Sequence, residues 1–381
     1  MLSAILLNKS YSIIRPQSKS TIPEQKICEN DLTSSATTIA MTEGKWEKRW
    51  HPLKREWVVY AAHRNSRPWN TGLKDLSRKN APEYDPGCYL CPGNPRVHGA
   101  VNPMYDGVYI FDNDHPVVGM QAPEIIDQAD TSNGLYLRKP ARGIARVVCY
   151  DKRHNTTLAD VSVEQVANVF KAWRQQMKEF ESNPAIHYVL IFENKGEICG
   201  VSNPHPHCQI YATDFVFKFI ETEMEAAADF KKDFGKNIFE EIINREEKDK
   251  VRIVAENEGA IAFIPFFARW SYETMIFPKK KHTTLSTMSD LELDQLAAIF
   301  QEVTQRYDKL FSMSMPYVMT IHQAPVDGKD YPDYHLFIQI LPPLRQPGLQ
   351  KFPAGPEIGG GNFMSDTLPE EKAAELRAVQ L

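Results

Sequence analysis

The chain has 381 residues, of which 42% are hydrophobic and 24% charged, and its formal net charge is −5. This composition is typical of a globular protein with two domains, or one large two-lobed domain, around a sizeable core. A weakly acidic chain has no overall positive field to attract nucleic acid or an anionic membrane. It also has no run of about 18 apolar residues, so no membrane-spanning helix is expected.

The N-terminal segment differs in composition from the rest of the chain. Met1 to Pro23 contain no acidic residue, and several serines alternate with Lys9, Arg15 and Lys19. Such a composition is found in organelle transit peptides and also in disordered tails. Residues 1–44 are therefore expected to be either a disordered tail or a targeting segment, and to carry no chemistry.

A C-x-x-C pair, Cys88 and Cys91, lies in the Gly/Pro-rich stretch PGCYLCPGNP. Six cysteines in a chain of this length favour metal ligands or free thiols over a disulfide framework, and hence a reducing compartment such as the cytoplasm. A tight turn can aim two thiolates at one ion, but tetrahedral zinc needs two more ligands. His154 and His205 are the candidates for a closed, structural Cys2His2 site. Free thiols, and a surface-turn role for His154, are the alternatives.

Two stretches of the chain repeat the same order of features. ARVVCYDKRHNTTL and YETMIFPKKKHTTL each combine an apolar strand, a basic turn, a histidine and Thr-Thr-Leu. Ser162 with Gln165, and Ser289 with Glu292, match the capping-box pattern and predict a helix start after each stretch. Apolar side chains then recur at helical spacing: Val163, Val166, Phe170, Trp173 and Met177, and Leu293, Leu296, Phe300, Val303 and Tyr307.

A strand, a loop and a second strand are predicted after each of these helices. The sequence therefore predicts an α+β fold made of two related halves, 45–215 and 216–381, with antiparallel sheets, packed helices and a pseudo-twofold relation. In this alignment His207 of the first half faces Phe337 of the second. Only the first half retains a histidine there, so catalysis is predicted in the first half alone.

His205, His207 and Gln209 alternate along a predicted strand and should project to one face. A neutral imidazole can attack phosphorus and form a phosphoramidate that is labile enough to be discharged to a second acceptor. The attacking nitrogen needs its lone pair, so the other ring N–H must donate to a fixed acceptor, typically a backbone carbonyl. The alternative is a pair of half-buried polar residues at a sheet edge.

The loop before this strand contains few bulky side chains. Gly196, Gly200 and Asn203-Pro204 lie in it, and backbone amides of such a loop can approach phosphate oxygens closely. Ser202 adds a hydroxyl donor. The loop is therefore a candidate phosphate-binding segment.

Four runs of the sequence carry a specific family resemblance. FENKGEICGVSNPHPHCQIYA, CYLCPGNPRV, RPWN and NDHPV resemble the galactose-1-phosphate uridylyltransferases of the histidine-triad superfamily, from about His51 to nearly the C-terminus. Members of that family contain two histidine-triad-like halves in one chain. The resemblance implies a ping-pong reaction in which a histidine takes UMP from UDP-glucose, releases glucose 1-phosphate and passes UMP to galactose 1-phosphate.

The resemblance also implies roles for residues at matching positions. His207 would be the nucleophile, Gln209 would hydrogen-bond a phosphoryl oxygen, and Cys88, Cys91, His154 and His205 would bind structural zinc. The residues implied to contact the diphosphate, the uridine end and the sugar are, in that order, Asn194, Gly200 and Ser202; Arg64, Arg67, Asn113 and Asp114; and Lys351, Phe352 and Glu357. The expected ligands are UDP-glucose, UDP-galactose and hexose 1-phosphates. A homodimer is also expected, with each active site completed by the partner subunit.

Gln209 stands where histidine-triad hydrolases carry a third histidine. An imidazole at that position can donate a proton to a leaving group, whereas an amide cannot. Glutamine retains the ability to stabilise a phosphoryl oxygen, which suits transfer between phosphates that leave without acid assistance. The residue therefore favours a transferase over a hydrolase.

Many family members bind a second metal, often iron, through a glutamate, a histidine and an H-x-H pair on a strand. Glu223 and His322 match this pattern, but Phe337 and Gln339 occupy the pair. A phenyl ring cannot coordinate a metal, and a neutral amide is a poor replacement for imidazole. His335 lies on the same strand face but about 6.6 Å away along the strand. The second site is expected to be lost or remade.

A plant-type branch that resembles ADP-glucose phosphorylase shares these substitutions and transfers AMP to phosphate. The run SNPHPHCQ instead matches the uridylyltransferases, so UDP-hexose chemistry is the preferred interpretation. Adenylyl phosphorolysis is the alternative activity, and a zinc-held interaction scaffold is the non-catalytic alternative. The identity of the acceptor does not follow from the sequence, because sugar epimers differ only in the direction of one hydroxyl.

Overall fold

The computed structural model describes residues 46–61, 81–124 and 139–381. These residues belong to one compact unit, Thr42–Leu381. No helix within the described ranges is both long and apolar enough to cross a membrane. The predicted tail, 1–44, and the predicted uridine contacts Arg64 and Arg67 lie outside the described residues.

The described residues form five α-helices: α1 (Val163–Glu181), α2 (Lys218–Phe234), α3 (Ile238–Asp249), α4 (Asp290–Leu310) and α5 (Pro369–Ala378). They also form fourteen strands: β1 (Trp46–His51), β2 (Glu56–Ala61), β3 (Tyr109–Asp112), β4 (Gly143–Cys149), β5 (Tyr188–Lys195), β6 (His207–Thr213), β7 (Ile253–Glu256), β8 (Ala260–Phe263), β9 (Thr274–Pro278), β10 (Tyr317–His322), β11 (Phe337–Leu341), β12 (Leu344–Gln346), β13 (Leu349–Gln350) and β14 (Met364–Ser365). The predicted α+β class is confirmed.

The largest sheet contains nine strands in the order β3-β4-β6-β5-β10-β11-β9-β8-β7, and every neighbouring pair is antiparallel. The order β4-β6-β5 in the first repeat is mirrored by β10-β11-β9 in the second. β5 and β10 meet at the centre, where Phe192 faces Thr320. This mirrored order confirms the internal duplication, and it joins both halves in one continuous sheet.

Helices α1 and α4, the equivalent helices of the two repeats, pack against each other through their apolar faces. Phe170 and Phe300 are fully buried, and their ring centroids lie 5.6 Å apart in an edge-to-face arrangement, which is a favourable geometry for two aromatic rings. The predicted apolar faces are buried, except that Val163 in the first turn of α1 is exposed. One core therefore supports both halves.

The two predicted capping boxes differ in the structure. Ser289 and Glu292 form the complete reciprocal box at the start of α4. At the start of α1, the Ser162 side chain accepts from the backbone amide of Gln165, but the Gln165 side chain donates to the carbonyl of Tyr150 instead of returning to the cap. The first box is therefore only half formed, because Gln165 ties the helix to the end of β4.

A second, three-stranded sheet has the order β1-β2-β14. Strands β1 and β2 form a hairpin, and β14 from the C-terminal region pairs parallel with β2. The turn of this hairpin buries His51, Leu53 and Lys54. An early segment of the chain thereby inserts a charged side chain among residues of the second half.

Candidate active site and metal centre

Strand β6 carries the predicted nucleophile face. His207 and Gln209 are partly exposed on one side, whereas Cys208 and Ile210 alternate with them and are buried. The Cys208 thiol accepts from the Trp173 indole at 3.2 Å on the core side. The strict alternation of a strand therefore directs the imidazole of His207 and the amide of Gln209 to the same surface.

The ring of His207 has a fixed orientation. Its Nδ1 lies 2.7 Å from the backbone carbonyl oxygen of His205. A carbonyl oxygen can only accept, so Nδ1 carries the proton and Nε2 carries the lone pair. A histidine nucleophile needs such an acceptor, and here it is the carbonyl oxygen of the residue two positions earlier, His205.

The loop before β6 forms one wall of a cleft at His207. Gly196 and Gly200 have positive φ angles of 88° and 83°, which glycine adopts without steric cost. A β-carbon on Gly196 would come within 2.8 Å of Pro316, so the loop and the second half are in close contact. Eight residues line the cleft: Phe192, Asn194, Gly200, Val201, Ser202, His207, Cys208 and Gln209.

Gln209 is held by two neighbours. Its Oε1 accepts from Asn113 Nδ2 and from the hydroxyl of Tyr211, both at 3.3 Å. Because both contacts use the oxygen, the amide NH2 is the group that can donate to a phosphoryl oxygen. Asp114, the next predicted uridine contact, lies beside Arg96 at 3.7 Å. The structure thus brings Asn113 to the predicted nucleophile strand.

The predicted Cys2His2 set forms a compact buried cluster. The candidate ligand atoms of Cys88, Cys91, His154 and His205 all lie within 4.8 Å of one another. The Cys91 sulfur lies 3.7 Å from His154 Nδ1 and 3.6 Å from His205 Nδ1, separations that tetrahedral zinc bonds of about 2.3 Å to sulfur and about 2.0 Å to nitrogen would give. The donor set therefore fits a four-coordinate metal ion.

The outer contacts of His205 fix its ligand nitrogen. Its Nε2 lies 3.0 Å from the carbonyl oxygen of Asp151 and 2.9 Å from the hydroxyl of Tyr105. The carbonyl requires a proton on Nε2, so the lone pair is on Nδ1 and faces the Cys91 sulfur. Tyr105 in turn donates to the carbonyl of Leu90 at 2.6 Å. These contacts orient the imidazole as a metal ligand.

Two asparagine amides hold the cysteine turn in shape. Asn94 donates to the carbonyl of Cys88 at 2.8 Å, and Asn102 donates to the carbonyl of Cys91 at 3.0 Å. The Asn203 side chain donates to the Cys88 sulfur at 3.4 Å and accepts from the His205 amide at 2.9 Å. Asn203 therefore connects the cysteine turn to His205, two of the three parts of the chain that supply the candidate ligands.

The surroundings of the cluster favour a neutral His205 imidazole and require a cation beside a Cys91 thiolate. Burial, with His154 nearby, lowers the pKa of His205 to about 4, so the ring is neutral at physiological pH. Burial also raises the pKa of the Cys91 thiol to about 11. A thiolate at that position needs a positive charge beside it, which a divalent metal ion supplies.

Comparison with known proteins places the chain. A family model described as galactose-1-phosphate uridyl transferase, N-terminal domain, matches residues 37–216, and the model for the C-terminal domain matches residues 223–381. The chain belongs to the galactose-1-phosphate uridyl transferase family. The Haemophilus influenzae galactose-1-phosphate uridylyltransferase is 37% identical over 335 residues, which cover 87% of this chain and 94% of that protein.

Solved structures agree with this family. A structure described as a uridylyltransferase superposes with a TM-score of 0.70 and 31% identity, covering 87% of this chain and 97% of that one. An ADP-glucose phosphorylase from Arabidopsis thaliana, solved with bound ADP-glucose, has a TM-score of 0.71 but only 22% identity, with 88% and 99% coverage. The second likeness shows the shared fold.

Two of the three residues predicted for a second metal site, Glu223 and His322, lie in contact, but a lysine lies beside them instead of a third ligand. Glu223 contacts His322 at 3.0 Å and the ammonium of Lys54 at 2.6 Å. The ring nitrogens of His335 form no hydrogen bond to Glu223 or His322, and its ring centroid lies 5.6 Å from that of Phe277. Within the described ranges, the Cys2His2 set is the one group of three or more side chains arranged to hold a metal.

The charge on Glu223 is maintained by its neighbours. Burial alone would raise the pKa of this carboxyl, but the attraction of His322 and Lys54 outweighs burial and holds the pKa well below its ordinary value. Glu223 is therefore ionised throughout the physiological range. Lys54 could not be predicted from the sequence, because nothing in the local pattern of the hairpin turn indicates a partner in helix α2.

The predicted sugar-binding residues do not line the described cleft at His207. Lys351 donates to Glu357 at 2.8 Å, and Glu357 accepts from the backbone amide of Ala354 at 3.0 Å. Phe352 is 67% exposed. None of the predicted sugar contacts is among the described residues that line the cleft at His207. The segment is ordered by its own contacts, and it presents an aromatic ring outward.

Other contributors were not predicted as site residues. Tyr105, Asn203 and the carbonyl of Asp151 orient His205 or the Cys88 sulfur. Asn203-Pro204 was noted only as a loop signal. A carbonyl contact has no sequence signature, and Tyr105 has no characteristic spacing from the histidine strand. These contacts could be found only in three dimensions.

Replacing Cys91 with serine is expected to reduce bound metal from about one ion per chain to near zero, because a hydroxyl is a poor substitute for a thiolate in a four-ligand site. The metal content of purified protein, measured by plasma mass spectrometry, tests this. Cys199→Ser is the control, since Cys199 lies outside the cluster and its loss should leave the metal content unchanged. Full metal retention in Cys91→Ser would contradict the assignment.

Proposed function

We propose that this chain is a nucleotidylyltransferase that moves UMP from UDP-glucose to galactose 1-phosphate through a uridylyl-histidine intermediate on His207. The observation that carries the proposal is the 2.7 Å contact between His207 Nδ1 and the carbonyl of His205, which leaves the Nε2 lone pair for attack. Membership of the galactose-1-phosphate uridyl transferase family supports the same activity.

The first half-reaction forms a bond between His207 Nε2 and the α-phosphorus of UDP-glucose. The bond from that phosphorus to the bridging oxygen breaks, and its electron pair leaves with glucose 1-phosphate. In the second half-reaction, a phosphate oxygen of galactose 1-phosphate attacks the same phosphorus. The nitrogen–phosphorus bond breaks, its electron pair returns to Nε2, and UDP-galactose is released.

Neither half-reaction requires a proton donor for the leaving group. A sugar phosphate loses its second proton near pH 6, so it leaves as a stable anion. The amide of Gln209, fixed through its oxygen by Asn113 and Tyr211, then stabilises negative charge on the phosphoryl oxygens without titrating. Asn194, Ser202 and the backbone at Gly200 line the same cleft and are proposed to bind the diphosphate.

The Cys2His2 set is the proposed site of a structural zinc ion. Four protein ligands fill the coordination sphere, so zinc would supply rigidity and no open position for substrate. His205 connects that site to the proposed nucleophile, because its Nδ1 is a candidate ligand and its carbonyl oxygen accepts a hydrogen bond from His207 Nδ1. Fixing His205 therefore fixes the tautomer of the nucleophile.

A homodimer with shared active sites is the proposed assembly. The candidate uridine contacts Asn113 and Asp114 lie in the half that carries His207, and Asn113 directly contacts Gln209. Lys351, Phe352 and Glu357 are ordered but do not line the cleft of their own chain. A segment of this kind can complete the site of a second copy in a twofold assembly.

Replacing His207 with alanine is expected to abolish covalent labelling by UDP-glucose that carries label in its uridine-linked phosphate, and to lower turnover by at least about a thousandfold. Mass spectrometry of the trapped intermediate should place the label on His207 in the unaltered protein. His187→Ala is the control, because His187 is exposed on the surface. Labelling and turnover that survive in His207→Ala would refute the mechanism.

Two substrate pairs separate uridylyl transfer from adenylyl phosphorolysis. Exchange between UDP-glucose and galactose 1-phosphate is expected to exceed the formation of ADP from ADP-glucose and inorganic phosphate by more than about a hundredfold in kcat/KM. Both rates can be followed by chromatography of the nucleotides. A faster phosphorolysis would favour the alternative, and UMP release independent of sugar phosphate would indicate a hydrolase.

Co-expression of two inactive variants tests the shared site. His207→Ala and Lys351→Ala chains, each inactive alone, are expected to recover about a quarter of the unaltered activity when mixed dimers form, because half of the dimers then contain one intact site. The yield of mixed dimers is measured with two different affinity tags. If isolated mixed dimers remain inactive, each site is built from one chain.

A further inference from the structure

A buried ion pair joins the N-terminal hairpin to the second half of the chain. Lys54, in the turn between β1 and β2, donates to Glu223 of helix α2 at 2.6 Å. Their side chains are 1% and 0% exposed. A carboxylate removed from water to this extent requires a positive partner, since an unpaired buried charge is strongly destabilising.

The second oxygen of Glu223 is also fully used. It accepts from the hydroxyl of Tyr334 at 2.6 Å and from His322 Nδ1 at 3.0 Å. The other ring nitrogen of His322 lies 3.0 Å from the hydroxyl of Thr320. Both nitrogens of this imidazole are thus occupied by protein groups, and none of its donors or acceptors faces an open coordination position.

The remaining candidate ligands for a second metal point elsewhere. Phe337 stacks on the ring of His322 with centroids 4.5 Å apart, and Gln339 donates to Glu273 at 2.8 Å. His335 packs beside Phe277. The set of metal ligands expected from the family resemblance is therefore incomplete. The negative charge of Glu223, which would bind the ion, is already balanced by Lys54.

We propose that the ammonium of Lys54 takes the place of a second metal ion in this chain, as the internal cation that holds Glu223 and links the hairpin to α2 and β10. A metal centre and a lysine ammonium meet the same requirement, a positive charge at the carboxylate. An ammonium group supplies this charge without a set of coordinating side chains. Phe337 can therefore occupy a position at which a metal site would need a ligand. The second half accordingly binds no metal.

A double-mutant cycle on the pair tests the charge role. Lys54→Met and Glu223→Gln are each expected to lower Tm by on the order of 10 °C, because each leaves one buried charge unpaired. The double variant should regain at least half of that loss, since it buries no charge. Thermal unfolding of the full chain, followed by circular dichroism, measures all three. Additive losses in the double variant would overturn the pairing.

Arg55→Met is the matched control in the same turn. Arg55 pairs with Asp229, but their side chains are 34% and 63% exposed, so removing this charge should shift Tm by no more than about 2 °C. A shift as large as that of Lys54→Met would show that the turn is sensitive to any change, and the role assigned to Lys54 would be withdrawn.

Metal stoichiometry decides the remaining part, and its first measurement needs only the unaltered protein. The unaltered protein is incubated with excess Fe²⁺ or Zn²⁺ and passed through a desalting column, and its metal content is compared with that before incubation. The content is expected to stay constant and to be equal in Glu223→Gln. An additional ion that the unaltered protein retains and Glu223→Gln does not would overturn the proposal. Tm is also measured with and without a chelator, and a larger decrease in the unaltered protein than in Glu223→Gln would overturn the proposal as well.

Discussion

The position of the proton on one imidazole sets the chemistry of this protein. The carbonyl of His205 holds the proton of His207 on Nδ1, and the lone pair for attack on phosphorus is therefore on Nε2. The ring of the same His205 belongs to the buried Cys2His2 cluster and is held by the carbonyl of Asp151. The proposed nucleophile is thus oriented through the backbone of a candidate metal ligand, so a displacement of His205 would also displace the hydrogen-bond acceptor of His207.

The duplicated halves show how one arrangement can be retained in one copy and replaced in the other. His282, the counterpart of His154, contacts Thr287 and Glu292 at 2.9 and 3.1 Å, so its ring anchors the start of α4. His335, the counterpart of His205, packs beside an aromatic ring. Hydrogen bonds and apolar contacts in the second half thereby occupy the positions that correspond to two candidate metal ligands of the first half.

The sequence predicted those features that follow from local spacing. Alternation along β6 predicted that His207 and Gln209 share one face, and the repeated strand, turn and helix predicted the pseudo-twofold relation, but not that both halves share one nine-stranded sheet. The sequence could not predict that the Gln165 side chain would donate to the Tyr150 carbonyl instead of to the helix cap, because the same side chain can make either contact. Nor could it pair Lys54 with a glutamate 169 positions later. Such contacts are set by how distant elements pack and leave no periodic trace.

The close approach between Gly196 and Pro316 couples the cleft loop of the first half to the second half. A β-carbon on Gly196 would lie 2.8 Å from Pro316, so the first half has no room for a side chain where its cleft loop touches its sister repeat. β5 and β10 are also hydrogen-bonded neighbours at this seam. The second repeat therefore helps to shape the loop that lines the cleft at His207, although it has phenylalanine at the position of that histidine.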